Sequence, residues 1–283
     1  MDRITEIERS IQKTYKKDIW KRFIAGINEY EMIKEGDRIA VCISGGKDSM
    51  LLAKCMQLLQ RHSDFPFEVK YLVMDPGYTP ENRRKIEENA ELLGLPVHIF
   101  EANIFNYVVD VEANPCYLCA RMRRGYLYKN AQELGCNKIA LGHHFDDVIE
   151  TILMSILYGA EVKTMMPKLH STNYEGMELI RPLYIVRERD IIRWARLNRL
   201  SFLQCACRFT EKSEEHEALS KRREVKRLIE SLRKGNSNVE MNIFRSVQNV
   251  NLQTLIGYHS SDFSYNFLDD YDDKGNKNNT GQE

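Results

Sequence analysis

Three groups of residues in this 283-residue chain have the types and spacing to do chemistry. The first is Ser44-Gly45-Gly46-Lys47-Asp48-Ser49. Two glycines allow a tight turn and a close backbone approach, and a helix opening here would offer unpaired N–H groups and the positive end of its dipole. That combination suits phosphate. Ser44 and Ser49 add hydroxyl donors, and Lys47 adds a mobile charge able to neutralise a leaving pyrophosphate. The spacing is not that of the nucleoside-triphosphate loop with four residues between its glycines, and the plain alternative is a glycine turn with exposed polar side chains.

The second group is Leu141-Gly142-His143-His144-Phe145-Asp146-Asp147. Carboxylates at Asp146 and Asp147 suit a magnesium ion bridging phosphates, although either could instead cap the following helix. His143 and His144 are nucleotide contacts or hydrogen-bonded structural histidines. The third group is Cys116 and Cys119, three residues apart at the expected start of a helix, where thiolates are favoured. Cys205 and Cys207 could complete a set of three or four thiolates, which hold zinc or an iron–sulfur cluster. Cys42, Cys55 and Cys136 fall in apolar contexts and read as core.

The elements that must position these groups follow from periodicity. Ile4, Ile7, Ile11, Tyr15, Ile19, Phe23 and Ile27 recur at helical spacing over residues 1 to 34. Arg38 to Ile43 is a short apolar run of the kind buried on both sheet faces, and a helix from about Met50 to Arg61 follows the glycine loop. Strands over Val69–Met74, Val97–Phe100 and Lys138–Gly142 alternate with helices over Glu81–Leu93, Cys116–Leu134 and Asp146–Tyr158. Such alternation implies right-handed βαβ units and a doubly wound, parallel α/β sheet. Beyond residue 185 the pattern turns helical, over Arg187–Arg199 and Ser213–Lys234.

Composition sets the class. The chain has 41 Lys plus Arg against 41 Asp plus Glu, and 43% hydrophobic residues. The first thirty residues hold no apolar signal core, no long apolar run occurs, and the cysteine count of 7 is odd. These features predict a cytoplasmic chain with no membrane partner. Neutrality is unevenly built: after residue 260, six acidic residues face only Lys274 and Lys277, so the body carries +4 and the tail −4. The polar composition predicts a disordered acidic tail over residues 270–283. Basic residues cluster at Arg121, Arg123 and Arg124, and again at Lys221, Arg222, Arg223, Lys226 and Arg227. Each cluster is an RNA phosphate-contacting patch or an ordinary solvated helix face.

Ser44–Ser49 resembles the signature of pyrophosphate-loop (PP-loop) ATPases, which cleave ATP between its α and β phosphates. The order of phosphate loop, Cys-x-x-Cys, Leu-Gly-His-His-x-Asp-Asp and late cysteine resembles the tRNA 2-thiocytidine synthetase family. The resemblance runs from about residue 25 to 250 and includes Cys119-Ala-Arg-Met-Arg-Arg-Gly-Tyr-Leu-Tyr, Arg181-Pro-Leu and Gln248-Asn249-Val250. It implies an adenine nucleotide alpha hydrolase-like fold with N-terminal helices over 1–36, an ATPase domain over 37–200 and a helical C-terminal region over 201–269.

It also implies an ATP-dependent sulfurtransferase that adenylates C2 of cytidine 32 in a tRNA anticodon loop. Nucleotide and magnesium would be held by Ser44, Gly45, Gly46, Lys47, Asp48, Ser49, Gly142, His143, Asp146 and Asp147, with Lys47, Asp48 and Asp147 catalytic. In that family three cysteines hold a 4Fe-4S cluster that carries the sulfur. Here these would be Cys116, Cys119 and Cys205, with Cys207 the rival third ligand because Cys-x-Cys replaces the Cys-x-x-Cys of many relatives. Related 2-thiouridine synthetases carry zinc fingers at both ends, and this chain has no cysteine before Cys42 or after Cys207. Arg121, Arg123, Arg124, Arg222 and Arg223 would contact tRNA. A cysteine desulfurase or another sulfide donor would supply sulfur, and a homodimer stays open. Two other readings remain: a PP-loop enzyme acting on another tRNA base or a small molecule, and a non-catalytic adenine-nucleotide-binding protein with structural zinc.

Overall fold

The computed structural model describes residues 2–102, 104, 115–203 and 213–271. Its centre is a six-stranded sheet ordered β3-β2-β1-β4-β6-β5. The strands are β1 (Arg38–Ile43), β2 (Glu68–Asp75), β3 (Val97–Glu101), β4 (Lys138–Ala140), β5 (Lys168–His170) and β6 (Glu178–Ile180). All neighbours are parallel except β5, which runs antiparallel along β6 at the edge. Ile39, Val41 and Ile43 of β1 pack into the main core, while Ala40 and Cys42 face a second core with Tyr128 and Ala131. Alternate side chains thus enter opposite layers, which is why the strand reads as a continuous apolar run. β5 and β6 have only three residues each, too few to show a period of two, and the sequence reading did not foresee them.

Helices cover both faces: α3 (Lys47–His62), α4 (Pro80–Leu92), α5 (Pro115–Glu133), α6 (Phe145–Gly159) and α7 (Glu188–Leu197) follow strands, and α8 (Ser213–Gly235) and α9 (Val239–Ser246) pack on α6. Beyond α9, residues expected to be helical include a hairpin of β7 (Gly257–His259) and β8 (Ser264–Asn266), where Tyr258 stacks on Tyr265 at 4.9 Å. The expected tail from residue 272 onward lies outside the described residues. Among the described residues no helix is long and apolar enough to cross a membrane.

The N-terminal helix has an unusual construction with a readable cause. α1 (Arg3–Arg9) runs through two π turns, Ser10–Thr14 and Lys16–Trp20, into α2 (Lys21–Glu29). Ile7, Ile11, Tyr15, Ile19, Phe23 and Ile27 recur every fourth residue, and all are buried. In an unbroken helix of 3.6 residues per turn, that spacing drifts by about 200° over twenty residues, carrying the last side chains into solvent. The wider π turns, closed by Tyr15 N–H to Ser10 O at 2.8 Å and Trp20 N–H to Tyr15 O at 3.3 Å, take up the drift. Ser10, at the first of them, accepts hydrogen bonds from Trp194 Nε1 at 3.1 Å and Asn198 Nδ2 at 2.9 Å. The segment is thereby fastened to α7.

Candidate active site

Sheet order creates the site. From β1 the chain winds outward to β2 and β3, then returns to place β4 on the other side of β1. The loops leaving β1 and β4 therefore flank the crevice where doubly wound sheets bind ligands. Gly45 has φ +85°, and a Cβ there would lie 2.7 Å from Ile86 and 3.0 Å from Leu203. Both backbone angle and space require glycine. Gly46 precedes the first turn of α3 without a side-chain cap, so the loop leaves helix N–H groups for a ligand. Ser49 Oγ accepts the N–H of Ser44 at 3.1 Å and donates to Gly46 O at 3.0 Å, clamping the loop on itself.

Gly142 meets this loop backbone to backbone: a Cβ would lie 2.9 Å from Ser49 N and 3.1 Å from Asp48 C. His144 and Asp147 form a capping box on α6, with His144 N–H donating to Asp147 Oδ2 at 3.0 Å and Asp147 N–H reaching His144 Nδ1 at 3.4 Å. With Nδ1 accepting, the ring proton is assigned to Nε2, which lies 3.8 Å from Asp48 Oδ1. Asp146 Oδ2 accepts the N–H of Glu188 at 2.7 Å. Asp147 thus takes the capping role on the following helix, whereas Asp146 serves the first residue of α7, 42 residues further along the chain.

The charges form one network. Lys47 Nζ lies 3.1 Å from Asp48 Oδ2 and 3.0 Å from Glu188 Oε1, and Lys226 Nζ lies 2.5 Å from Glu188 Oε2. Burial works against the Glu188 carboxylate, but Lys226 and Lys47 hold its pKa down at about 2. Burial likewise opposes the Lys47 charge, yet Asp48 and Glu188 raise its pKa overall. For Asp48 burial prevails and pushes the carboxyl up against His144 and Lys47, and its Oδ1 is buried without a hydrogen-bond partner. Arg222 of α8 reaches Glu150 Oε2 at 3.3 Å and Asp147 Oδ1 at 3.7 Å.

Burial pushes the Glu150 carboxyl up to about 7, although Arg222 opposes it. The folded state therefore holds this proton more tightly than an ordinary glutamate, and the resulting stabilisation is complete below about pH 4.5 and lost as pH rises through 7. Glu150→Gln keeps the side chain at this position uncharged at every pH. Its urea midpoint is expected to fall less than that of the wild type between about pH 5 and pH 8, a difference equivalent to roughly 2 kcal/mol. Parallel midpoints in the two proteins would remove Glu150 as the titrating group.

A cavity of about 330 Å³ opens between the two loops, lined by Ser44, Asp48, Ser49, Tyr78, His143 and Asp147 and floored by Ile43, Met74 and Leu141. Its size and mixed lining suit a nucleotide-sized ligand. Burial lowers the His143 pKa to about 4, aided by Arg181, so the ring is neutral at pH 7, and its buried Nδ1 has no partner among the described residues. Arg123 and Leu127 of α5 complete the wall. Arg123, expected on the RNA face, therefore borders the cavity, whereas Arg121, Arg124 and Arg223 are exposed. Arg222 faces the carboxylates.

Cys116 and Cys119 fall in the first two turns of α5, the helix whose later residues form this wall. Cys205 and Cys207 lie outside the described residues. Cys42, Cys55 and Cys136 are free and buried, and burial raises all three thiol pKa values, that of Cys42 to about 12. Sequence reasoning missed Glu188, Tyr78 and the carboxylate contacts of Arg222. Arg187-Glu188-Arg189 reads as an ordinary helix start, and no local signal ties it to Lys47, 141 residues earlier.

Among the described residues no three His, Cys, Asp or Glu side chains converge as a ready-made metal site. Magnesium still fits here, since it needs only one or two carboxylates beside substrate phosphates, and the unpartnered Asp48 Oδ1 offers one. For the cysteines, two thiols three residues apart at a helix start are a donor set suited to an iron–sulfur cluster.

A family model described as a PP-loop domain matches residues 5–212. The tRNA-cytidine(32) 2-sulfurtransferase of Coxiella burnetii (strain Dugway 5J108-111) is 35% identical over 243 residues, covering 84% of this chain and 91% of the relative. The protein of the same name from Neisseria meningitidis serogroup C is 41% identical over 185 residues, covering 63% of this chain. The match spans only 57% of that relative's length. Among solved structures, the U34-tRNA thiolase NcsA from Methanococcus maripaludis with its 4Fe-4S cluster superposes with a TM-score of 0.62 at 21% identity, covering 83% of this chain and 81% of the thiolase. That is a likeness of fold.

Proposed function

This chain belongs to the PP-loop family of tRNA-cytidine(32) 2-sulfurtransferases, and from that premise we propose that it uses ATP to exchange the C2 oxygen of cytidine 32 in a tRNA anticodon loop for sulfur. One observation carries the reading: the phosphate loop and the cysteine helix α5 border the same cavity, through Ser44, Asp48 and Ser49 on one side and Arg123 and Leu127 on the other. A nucleotide seated there would have its phosphates against the loop N–H groups and its base against the apolar floor. An activated carbon could then meet a group held by α5 without leaving the crevice.

The chemistry balances without a redox step. The cytidine C2 oxygen attacks the α phosphorus of ATP, and the bond to the bridging oxygen breaks as pyrophosphate leaves. A sulfide-level nucleophile then adds at C2, and AMP departs with the former base oxygen, leaving 2-thiocytidine. Gly45 and Gly46 let the backbone approach the phosphates, Lys47 meets the charge that develops on the leaving pyrophosphate, and neutral His143 can hydrogen-bond without adding charge. Asp48, with Asp147, would hold magnesium, and Cys116, Cys119 and either Cys205 or Cys207 would hold the cluster. When bound, magnesium neutralises phosphate charge and the 4Fe-4S cluster presents the sulfur. Exposed Arg121, Arg124 and Arg223 supply RNA phosphate contacts, which position the substrate without reading its sequence. A cysteine desulfurase or another sulfide donor replenishes the sulfur, in the cytoplasm where tRNA and reduced thiols coexist.

Mass spectrometry of nucleosides from tRNA of cells lacking this chain tests the reading. 2-Thiocytidine should disappear and return with the intact gene. Its persistence would overturn the substrate, and loss of a different thiolated nucleoside would redirect the reaction to another base. Anaerobically purified protein should contain iron and sulfide; stoichiometric zinc in their place would overturn the cluster.

A further inference from the structure

We propose that Glu188 is a positioning residue that aims the Lys47 ammonium at the phosphate loop and ties its placement to α8; the inference rests on the functional reading above. Lysine ends in a point charge on a flexible stem, so it does not aim itself. Here the ammonium is fixed by Asp48 Oδ2 at 3.1 Å and Glu188 Oε1 at 3.0 Å. An ammonium has three donors, and these two contacts leave one N–H for an incoming phosphate oxygen.

Glu188 is itself held from three directions. Its N–H donates to Asp146 Oδ2 at 2.7 Å, its second oxygen receives Lys226 Nζ at 2.5 Å, and it opens α7, where an acidic side chain favours the helix dipole. Each carboxylate oxygen thus takes one lysine. The bridge joins the phosphate loop to α8, whose Arg222, one turn before Lys226, reaches Asp147 and Glu150. α8 begins at Ser213, directly after the segment that contains Cys205 and Cys207. A two-ion-pair link therefore connects the nucleotide end of the site to the helix that follows the candidate third thiolate. The low pKa of Glu188 supports this role, since the carboxylate stays ionised throughout the working range.

A misplaced Lys47 weakens contact with charge that develops only as pyrophosphate leaves, so the loss belongs in kcat rather than in ATP binding. The test measures pyrophosphate release by the full cluster-loaded chain with saturating tRNA, together with binding of a non-hydrolysable ATP analogue and urea midpoints. Glu188→Ala should lower kcat about tenfold to a hundredfold with no rise in the KM for ATP or in the Kd for the analogue. Glu188→Gln, which keeps an oxygen acceptor, should recover part of the loss. The double variant Lys47→Met/Glu188→Ala should be no slower than Lys47→Met alone, because both remove one function.

Unchanged kcat in Glu188→Ala, or losses that multiply in the double variant, would overturn the inference. So would a loss carried wholly by KM. Should Glu188→Ala have a lowered urea midpoint, the same comparison with Glu188→Gln decides by the same criteria. A wild-type protein that binds tRNA and ATP but releases no pyrophosphate would instead overturn the functional reading, whereas an active wild type with multiplying losses overturns only the role of Glu188.

Discussion

Lys47→Met is expected to slow conversion of ATP to AMP and pyrophosphate by about 10²- to 10³-fold, the usual cost of losing one preorganised charged or polar group at a developing anion. The ammonium is already placed at the loop mouth by Asp48 and Glu188, so it needs no rearrangement when negative charge moves onto the leaving pyrophosphate. Its removal also leaves Asp48 and Glu188 facing that charge with Lys226 as the remaining partner of Glu188, which adds repulsion to lost attraction. ATP should still bind, because the loop N–H groups and the apolar cavity floor are untouched. Iron and sulfide content should match the wild type, since the cysteine helix takes no part in the change. Pyrophosphate release under saturating ATP and tRNA measures the effect. A rate within threefold of wild type would remove Lys47 from the pyrophosphate seat.

On the proposed reading, Cys116→Ala is expected to abolish 2-thiocytidine formation while nucleotide affinity stays within about threefold of wild type, because the residues proposed for cluster and nucleotide are different ones. The cavity wall draws on α5 through Arg123 and Leu127, about two and three turns beyond Cys116, so the substitution leaves that wall in place. In the proposed set three thiolates would hold the cluster, so removing one should forfeit the group rather than weaken it. Nucleoside mass spectrometry on tRNA incubated with the variant gives the answer, with ATP-analogue binding as the control. Wild-type levels of 2-thiocytidine would exclude Cys116 as a ligand. Applied to Cys205→Ala and Cys207→Ala, the same assay separates the two candidates, since the true third ligand behaves like Cys116 and its rival does not.

Much of the fold was legible because its signals are local. The apolar run of Arg38–Ile43, the glycines after it and the helix they open appear within about three residues of their expected bounds. The capping alternative was also visible in the sequence, and Asp147 takes it on α6, whereas Asp146 binds the backbone N–H of Glu188 at the start of α7. The π turns were not visible, although their cause was: a strict spacing of four is a register that an α-helix alone cannot keep on one face. The short strands β5 and β6 and the terminal hairpin escaped notice because their three residues neither alternate over a readable length nor continue into an apolar run like the one that marks β4.

By itself the sequence determined the chemistry available: a phosphate-binding turn, two aspartates at a strand end, a pair of thiols at a helix start and a parallel sheet to carry them. These depend on residue type and on spacings of a few residues, which backbone geometry converts directly into local structure. Only the tertiary structure decided which groups meet. Placing β4 beside β1 brings Gly142 against Ser49, α7 turns Glu188 toward Lys47, and α8 returns to set Arg222 and Lys226 on the carboxylates. It also separated Arg123, at the cavity, from Arg121 and Arg124 at the surface. The reason is physical: a charge pair is set by distance and burial in space, and those follow from strand order and helix packing, which local propensity does not encode.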